Sequence, residues 1–303
     1  MQKLNRDFFL YLSKNKLLNK NAKRWGLKLG ASKVVAGLTL EDAHARLQEL
    51  NESNRSITLD HLGEFVFEES EAIEAFESSM AALDFLHEHE IDCYLSVKLT
   101  KLGLDVDEDL CKSHIKQLLE KAKEHGSIVN IDMEDYLHYE QTIRIIEELR
   151  TSFDNIGTVL QAYIKTGVED TDRLKGMKLR FVKGAYKESA DVALQEKQAI
   201  DKQMLDMIKT HLNNGGHTAI ATHDHHIIEH VKAYAEEQSI PREQFEFQML
   251  YGFRNDLQLS LVEEGYQVRT YVPYGKDWYG YFMRRLAERP QNLAFAMRGL
   301  LSK

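Results

Sequence analysis

The sequence predicts an α/β fold, a (β/α)8 TIM barrel preceded by N-terminal helices. Three observations point there. From about Ser56 onward, eight short apolar runs alternate with amphipathic stretches. The 303 residues exceed the roughly 250 that one such barrel takes, which leaves room for an extension. The polar residues of the runs gather at their C-terminal ends, where barrels of this kind carry their chemistry.

The eight runs are ITLDHLGE (57–64), DCYLSVKL (92–99), SIVNIDME (127–134), GTVLQAYI (157–164), KLRFVKGA (178–185), HTAIATHD (217–224), FEFQML (245–250) and VRTYVPYG (268–275). Their length and their β-branched and aromatic content suit buried parallel strands. Between them, EAIEAFESSMAALDFLHEH (71–89) repeats its apolar residues at helical spacing. DEDLCKSHIKQLLEKAKEHG (107–126) ends on Lys and His before a glycine stop signal. A doubly wound open sheet is the alternative, but the first run ends in Leu62-Gly63-Glu64 without a G-x-G-x-x-G turn. Residues 1–55 read as a helical extension and 56–303 as the barrel; no Gly/Ser linker marks a second domain boundary.

Composition narrows the function. The net charge is 39 − 48 = −9. An acidic chain gains little from counterion release at phosphates, so nucleic acid is not an expected partner. A local Arg/Lys cluster can still hold an anionic ligand. Cys93 and Cys111 are too few for a disulfide framework and lack metal-ligand spacing, so both read as reduced thiols of a cytosolic protein. Residues 1–20 show no apolar core with a small-residue cleavage site, and no apolar run approaches the roughly 20 residues that span a bilayer.

Candidate site residues sit on nearly every strand end. They are Glu64, Lys98, Asp132 and Glu134, Gln161, Arg180 with Lys183 and Tyr186, Thr222 with His223 and Asp224, Gln248, and Tyr271. A charge inside an apolar strand is costly unless paired or wet. Asp132 alone fits a structural ion pair as well as a functional acid. In LRFVKGAY (179–186), Arg180 and Lys183 precede Gly184 and Ala185. Small residues admit a ligand to the backbone, and the cations suit phosphate or an anionic ring. The same stretch also fits a strand ending in a solvated turn. In WYGYFMRRLAERP (278–290), Tyr281 and Arg284 share a helical face, and Arg284 with Arg285 could clamp one carboxylate. Pairing of Arg284 with Glu288 on a solvated face is the plain alternative. In ATHDHHIIEH (221–230), His223, His225, His226 and His230 invite a metal, but no ligand pattern such as H-E-x-x-H supports one.

At these residues the sequence resembles the proline dehydrogenase family, specifically its monofunctional bacterial type, over about residues 56–290. LRFVKGAY, ATHD, FEFQML, and Tyr271 with YFMRRLAE carry the likeness, in family order. The resemblance implies a distorted barrel that binds FAD without a covalent bond. It implies oxidation of L-proline to 1-pyrroline-5-carboxylate by hydride transfer from C5 to flavin N5. Arg180 would lie near N5. Met133, Gln161, Lys183, Gly184, Ala185, Thr222, His223 and Gln248 would contact the cofactor, with Asp132 beside it as a catalytic acid. Lys98, Arg284 and Arg285 would hold the substrate carboxylate, and Tyr186, Tyr271, Tyr281 and Leu250 would wall the ring. Glu64 would pair with Arg284 to gate the site. Tyr271 would favour proline over hydroxyproline. The likeness further implies a quinone or another electron acceptor and peripheral contact with the inner face of the membrane by a cytoplasmic protein. A separate pyrroline-5-carboxylate dehydrogenase would take the next step. Phe181 stands where many relatives carry an aliphatic residue. Two other classes fit parts of the pattern: a metal-dependent barrel hydrolase on His223, His225 and Asp224, and a Schiff-base lyase using Lys98 or Lys183.

Overall fold

A computed structural model describes residues 31–63 and 65–288, with the side chains of 284–288 excepted. Eight parallel strands close into a barrel in sequence order, β1 pairing with both β2 and β8. They are β1 (Ser56–His61), β2 (Cys93–Val97), β3 (Val129–Ile131), β4 (Ile156–Gln161), β5 (Lys178–Val182), β6 (Thr218–Ala221), β7 (Phe245–Leu250) and β8 (Gln267–Tyr274). Each coincides with one of the eight apolar runs, with β1, β4 and β8 starting one residue earlier. Several are shorter than their run, because the last residues of the run leave the sheet to form the mouth.

Helix α1 (Leu40–Glu52) precedes the barrel. α2 (Glu69–Glu88), α3 (Glu108–Glu124), α4 (Tyr136–Leu149), α5 (Gly167–Arg173), α6 (Lys197–Asn213), α7 (His225–Glu237), α8 (Asn255–Glu263) and α9 (Trp278–Glu288) follow the strands in turn. Their ends are written locally. Thr39 caps α1 and Asp42 returns the bond to the Thr39 backbone, a reciprocal capping box. Asp107, Asp135 and Asp224 cap α3, α4 and α7 through their carboxylates. α3 stops at His125, and Gly126 follows at φ 67°, a conformation that glycine adopts without penalty. Among the described residues, no helix is long and apolar enough to cross a membrane.

Side chains alternate along each strand, so one set faces the helices and the other faces the barrel interior. The outward set is apolar and buried: Ile57 and Leu59, Leu95 and Val97, Val129 and Ile131, Phe245 and Phe247. Phe181 belongs to it. It packs edge-on against the buried His211 of α6, with ring centroids 5.5 Å apart. Burial pushes His211 down to about 4, so the ring is a neutral core group, and its Nδ1 lies 2.8 Å from Thr218 Oγ1.

The inward set is polar. At its lower end Arg269 Nε donates to Glu246 at 2.9 Å and Nη1 to the Ile57 carbonyl at 2.8 Å, while the guanidinium lies 3.6 Å from the centre of the Tyr94 ring. Both charged side chains are at most 5% exposed. Removing one member strands a buried charge. Glu246→Leu should cost about 3–5 kcal/mol in urea unfolding, and the double variant Glu246→Leu/Arg269→Met should recover most of that loss.

Candidate active site

The mouth of the barrel is organised around one carboxylate. Asp132 follows β3 directly, and its backbone N–H is held by the Val97 carbonyl at 2.8 Å. Asp132 Oδ1 accepts from Ser96 Oγ (2.7 Å), Arg180 Nη1 (2.8 Å) and Asn130 Nδ2 (3.3 Å). Oδ2 accepts from the Tyr271 hydroxyl (2.7 Å) and Lys98 Nζ (3.4 Å). Lys98 also donates to Asp60 at 2.9 Å. The Arg180 guanidinium lies 5.2 Å from the centre of the Tyr271 ring, within cation–π range. Four of the residues the sequence singles out, Lys98, Asp132, Arg180 and Tyr271, therefore meet in one cluster. Two carboxylates face two cations.

Register explains the meeting. Asp60 pairs with Ser96, Ser96 with Asn130, and Thr58 with Tyr271 across neighbouring strands. Burial raises the Asp132 pKa, but Lys98, Arg180, Ser96 and Tyr271 together outweigh it, and the carboxyl sits below the ordinary range. Burial and the nearby carboxylates push Tyr271 well up, so its phenol keeps the proton it donates. Asp60, Ser96 and Asn130 were not among the sequence candidates. Their signal is polar residues two apart in an apolar run, as in Tyr94-Ser96-Lys98 and Asn130-Asp132.

A second group lies on β5 and β6. Lys183 Nζ meets Asp201 at 2.5 Å and Asp224 at 2.8 Å, so a carboxylate pair already surrounds this cation. The Thr222 hydroxyl accepts from the Asp224 N–H at 3.1 Å, and His223 Nε2 accepts from the Leu250 N–H at 3.1 Å. Gly184 has φ 113°, and a Cβ there would lie 2.3 Å from the Tyr163 ring, so only glycine lets the backbone pass. Ala185 beside it is exposed and Tyr186 partly so.

These placements count against a metal centre. Asp224 is spent on capping α7 and on Lys183, His223 on the β7 backbone, and the exposed His225 stacks on His226 with centroids 3.9 Å apart. Among the described residues no group of three or more His, Cys, Asp or Glu converges to hold a metal. The hydrolase alternative on His223, His225 and Asp224 loses its geometric basis.

Three buried polar atoms on β4, β5 and β7 face inward without a hydrogen-bond partner, Gln161 Oε1, Arg180 Nε and Gln248 Oε1, and Thr58 Oγ1 on β1 is a fourth. The other end of Gln161 is used, its Nε2 donating to the carbonyls of Met133 (3.1 Å) and Glu134 (3.0 Å). Orphaned acceptors and a donor inside a barrel are where a polar ligand is bound at least cost. All three residues are among those the family likeness sets against the cofactor. Tyr281 is buried on α9, as is Trp278. The carboxylate clamp of Arg284 and Arg285, the pairing of Arg284 with Glu288, and the gate residue Glu64 lie outside the described side chains.

The rim carries a further ion cluster. His138 on α4 has Nδ1 2.6 Å from Asp135 and Nε2 2.8 Å from Asp105. Burial lowers its pKa, but the two carboxylates more than reverse that, and the net shift is upward.

Two pH responses follow, of opposite sign. The depressed pKa of Asp132 contributes stability above the unfolded value of roughly 3.9, and that contribution is lost as pH falls through the folded value. The stability gap between the wild type and Asp132→Asn, measured by urea unfolding, should therefore shrink on acidification. The raised pKa of His138 contributes fully below roughly 6.5 and fades as pH rises through the folded value. The gap between the wild type and His138→Gln should therefore shrink on going alkaline.

Comparison with known proteins identifies the family of this barrel. A family model described as proline dehydrogenase matches residues 43–298. Proline dehydrogenase 1 of Bacillus subtilis strain 168 is 47% identical over 300 residues, covering 98% of this chain and 99% of that protein. Proline dehydrogenase of Deinococcus radiodurans is 39% identical over 286 residues, covering 92% and 91%. The crystal structure of proline utilization A (PutA) from Bdellovibrio bacteriovorus, inactivated by N-propargylglycine, superimposes with a TM-score of 0.79 at 26% identity. It covers 85% of this chain, and the match spans 32% of that longer protein. With the family model across most of its length and full-length relatives at these identities, the chain belongs to the proline dehydrogenase family.

Proposed function

We propose that the protein binds FAD in the barrel mouth and oxidises L-proline to 1-pyrroline-5-carboxylate, the hydride leaving C5. The observation that carries the cofactor assignment is the trio of unpartnered buried atoms, Gln161 Oε1, Arg180 Nε and Gln248 Oε1. They offer acceptors and a donor to the polar edge of a planar ring. Gly184, just beyond β5, lets the Tyr163 ring pack directly on the backbone there. Gln161, Arg180, Lys183, Thr222, His223 and Gln248 would hold the group, with Met133, Gly184 and Ala185 lending backbone. FAD, when bound, supplies the hydride acceptor at N5.

The chain's own residues orient the substrate. Proline has one anionic handle, so Lys98, Arg284 and Arg285 at one end decide which ring carbon faces the cofactor. Tyr271 and Tyr281, with Tyr186 and Leu250, form an apolar wall that keeps water from the ring. The Tyr271 ring is fixed by its bond to Asp132 and by the Arg180 guanidinium beside it, and this pins the wall. Arg180, positive and buried, favours extra negative charge on a bound ring, which suits an oxidation. The family likeness alone supports the remaining assignments. These are a quinone or other acceptor met by peripheral membrane contact from the cytoplasm, Glu64 with Arg284 as a gate, and a separate dehydrogenase for the product.

Purified protein should be yellow, and proline added without oxygen should bleach the visible flavin band. Colourless protein that neither takes up FAD nor reduces an acceptor with proline would overturn the assignment. N-propargylglycine should inactivate the enzyme. Arg284→Met and Arg285→Met should each raise KM for proline, at a cost of about 2–5 kcal/mol per lost charged hydrogen bond, with FAD retained. Asp132→Ala should lower turnover; normal turnover would make Asp132 a structural acid.

A further inference from the structure

We propose that Thr100 and Lys101, in the turn after β2, are positioning residues that clasp the end of β1 to the end of β3 and so keep Asp60 aligned with Lys98. Neither residue carries a role in the family likeness. For its kinetic consequence the inference rests on the proline-oxidising function proposed above.

The clasp has two arms. Lys101 Nζ donates to the carbonyls of His61 (2.6 Å) and Leu62 (3.4 Å), which directly follow Asp60 on β1. Gly63 makes room for it. At φ 144°, a Cβ on Gly63 would stand 3.2 Å from Lys101 Cε. Thr100, fully buried, forms the other arm. Its N–H donates to Glu134 Oε1 at 3.1 Å and its hydroxyl to Oε2 at 2.5 Å. The same hydroxyl accepts from the Phe65 N–H at 3.2 Å, and the Thr100 carbonyl accepts from Val66 at 3.4 Å. Glu134 is two residues beyond Asp132. One turn thus joins the strand end bearing Asp60 to the strand end bearing Asp132, with Lys98 bridging the two carboxylates between them.

The charge of the lysine is held at a cost. Burial and the neighbouring Lys98 push its pKa down to about 8, with Asp60 on β1, Glu74 on α2 and Asp277 before α9 pulling the other way. A lowered lysine pKa means that folding disfavours the charge, so the cation costs stability at neutral pH. What the ammonium provides is a charge-assisted hold on two carbonyls, and that hold weakens as it loses its proton.

The test uses the full-length protein. Backbone amide exchange, read at pH 7 without proline, should quicken about tenfold at Leu62, Phe65 and Val66 in Lys101→Met, and Lys101→Arg should restore it. KM for proline should rise about tenfold in Lys101→Met with kcat within about twofold of the wild type. The wild-type KM should climb above about pH 8, and the Lys101→Arg KM should not. Thr100→Val tests the second arm independently and decides the matter if Lys101→Met does not fold. Its expected result is the same quickening at Phe65 and Val66. Unchanged exchange in both variants would overturn the clasp, and faster exchange with an unchanged KM would overturn its role in alignment. Absence of proline oxidation in the wild type would sink the functional reading while leaving the exchange result to stand on its own.

Discussion

The carboxylate of Asp132 accepts five hydrogen bonds, and the mouth of the barrel is arranged around it. Its donors come from β2 and the turn after it, from β3, from β5 and from β8; Asp60 of β1 joins through Lys98. One acid therefore links five of the eight strands at their functional ends. The arrangement is stable only as a set. Two carboxylates and two cations balance, and each would be an expensive buried charge without the others. A single substitution here changes the protonation and direction of its neighbours as well as its own contact. The bonds of Asp132 that tie the strands together also aim the Tyr271 ring and the Arg180 guanidinium.

That set requires an interior that departs from the usual barrel core. Barrels of this class commonly fill their centre with branched apolar side chains. Here the inward positions carry Tyr94, Ser96, Asn130, Arg180, Glu246, Gln248, Arg269 and Tyr271, most of them buried. Apolar cohesion comes instead from the outward face, where the strands meet the helices. The cost of the polar interior is offset by pairing, with the Arg269–Glu246 pair at the lower end and the Asp132 cluster at the upper one.

The same division accounts for what the sequence made legible. All eight strands were readable because their outward residues are mostly Ile, Leu, Val and Phe at every second position, and the polar residues between them are few enough to leave an apolar run. The site was readable at Lys98 and Asp132, which directly follow their strands, and at Arg180 and Tyr271, which stand out within theirs as part of distinctive motifs. It was not readable at Asp60, Ser96 and Asn130, which sit inside runs and gain meaning only from cross-strand register. Lys183 shows the opposite difficulty. Its charge and the following glycine suggested an anionic ligand, and Asp224 was visible as a strand-end acid, but Asp201 reaches Lys183 from α6 through a loop whose path sequence does not encode in any periodicity. Phe181, which looked like a departure from its relatives, is a packing choice: its ring fills the space beside a histidine that Gly216 admits.

The unpaired atoms of Gln161, Arg180 and Gln248 separate a polar core that is complete from one that is not. Each such orphan costs about 1–3 kcal/mol, which a polar guest would recover. The other ends of these side chains are satisfied: Gln161 Nε2 holds two carbonyls, and Arg180 Nη1 holds Asp132. The side chains are thus fixed at one end and open at the other, which is the condition for binding without reorganisation. A purely apolar guest would leave the open ends unsatisfied. A planar group with donors and acceptors along its edge would satisfy them. The physical case for a heteroaromatic cofactor in this mouth therefore rests on what the barrel leaves undone, and the case for proline on the cations and tyrosines that surround it.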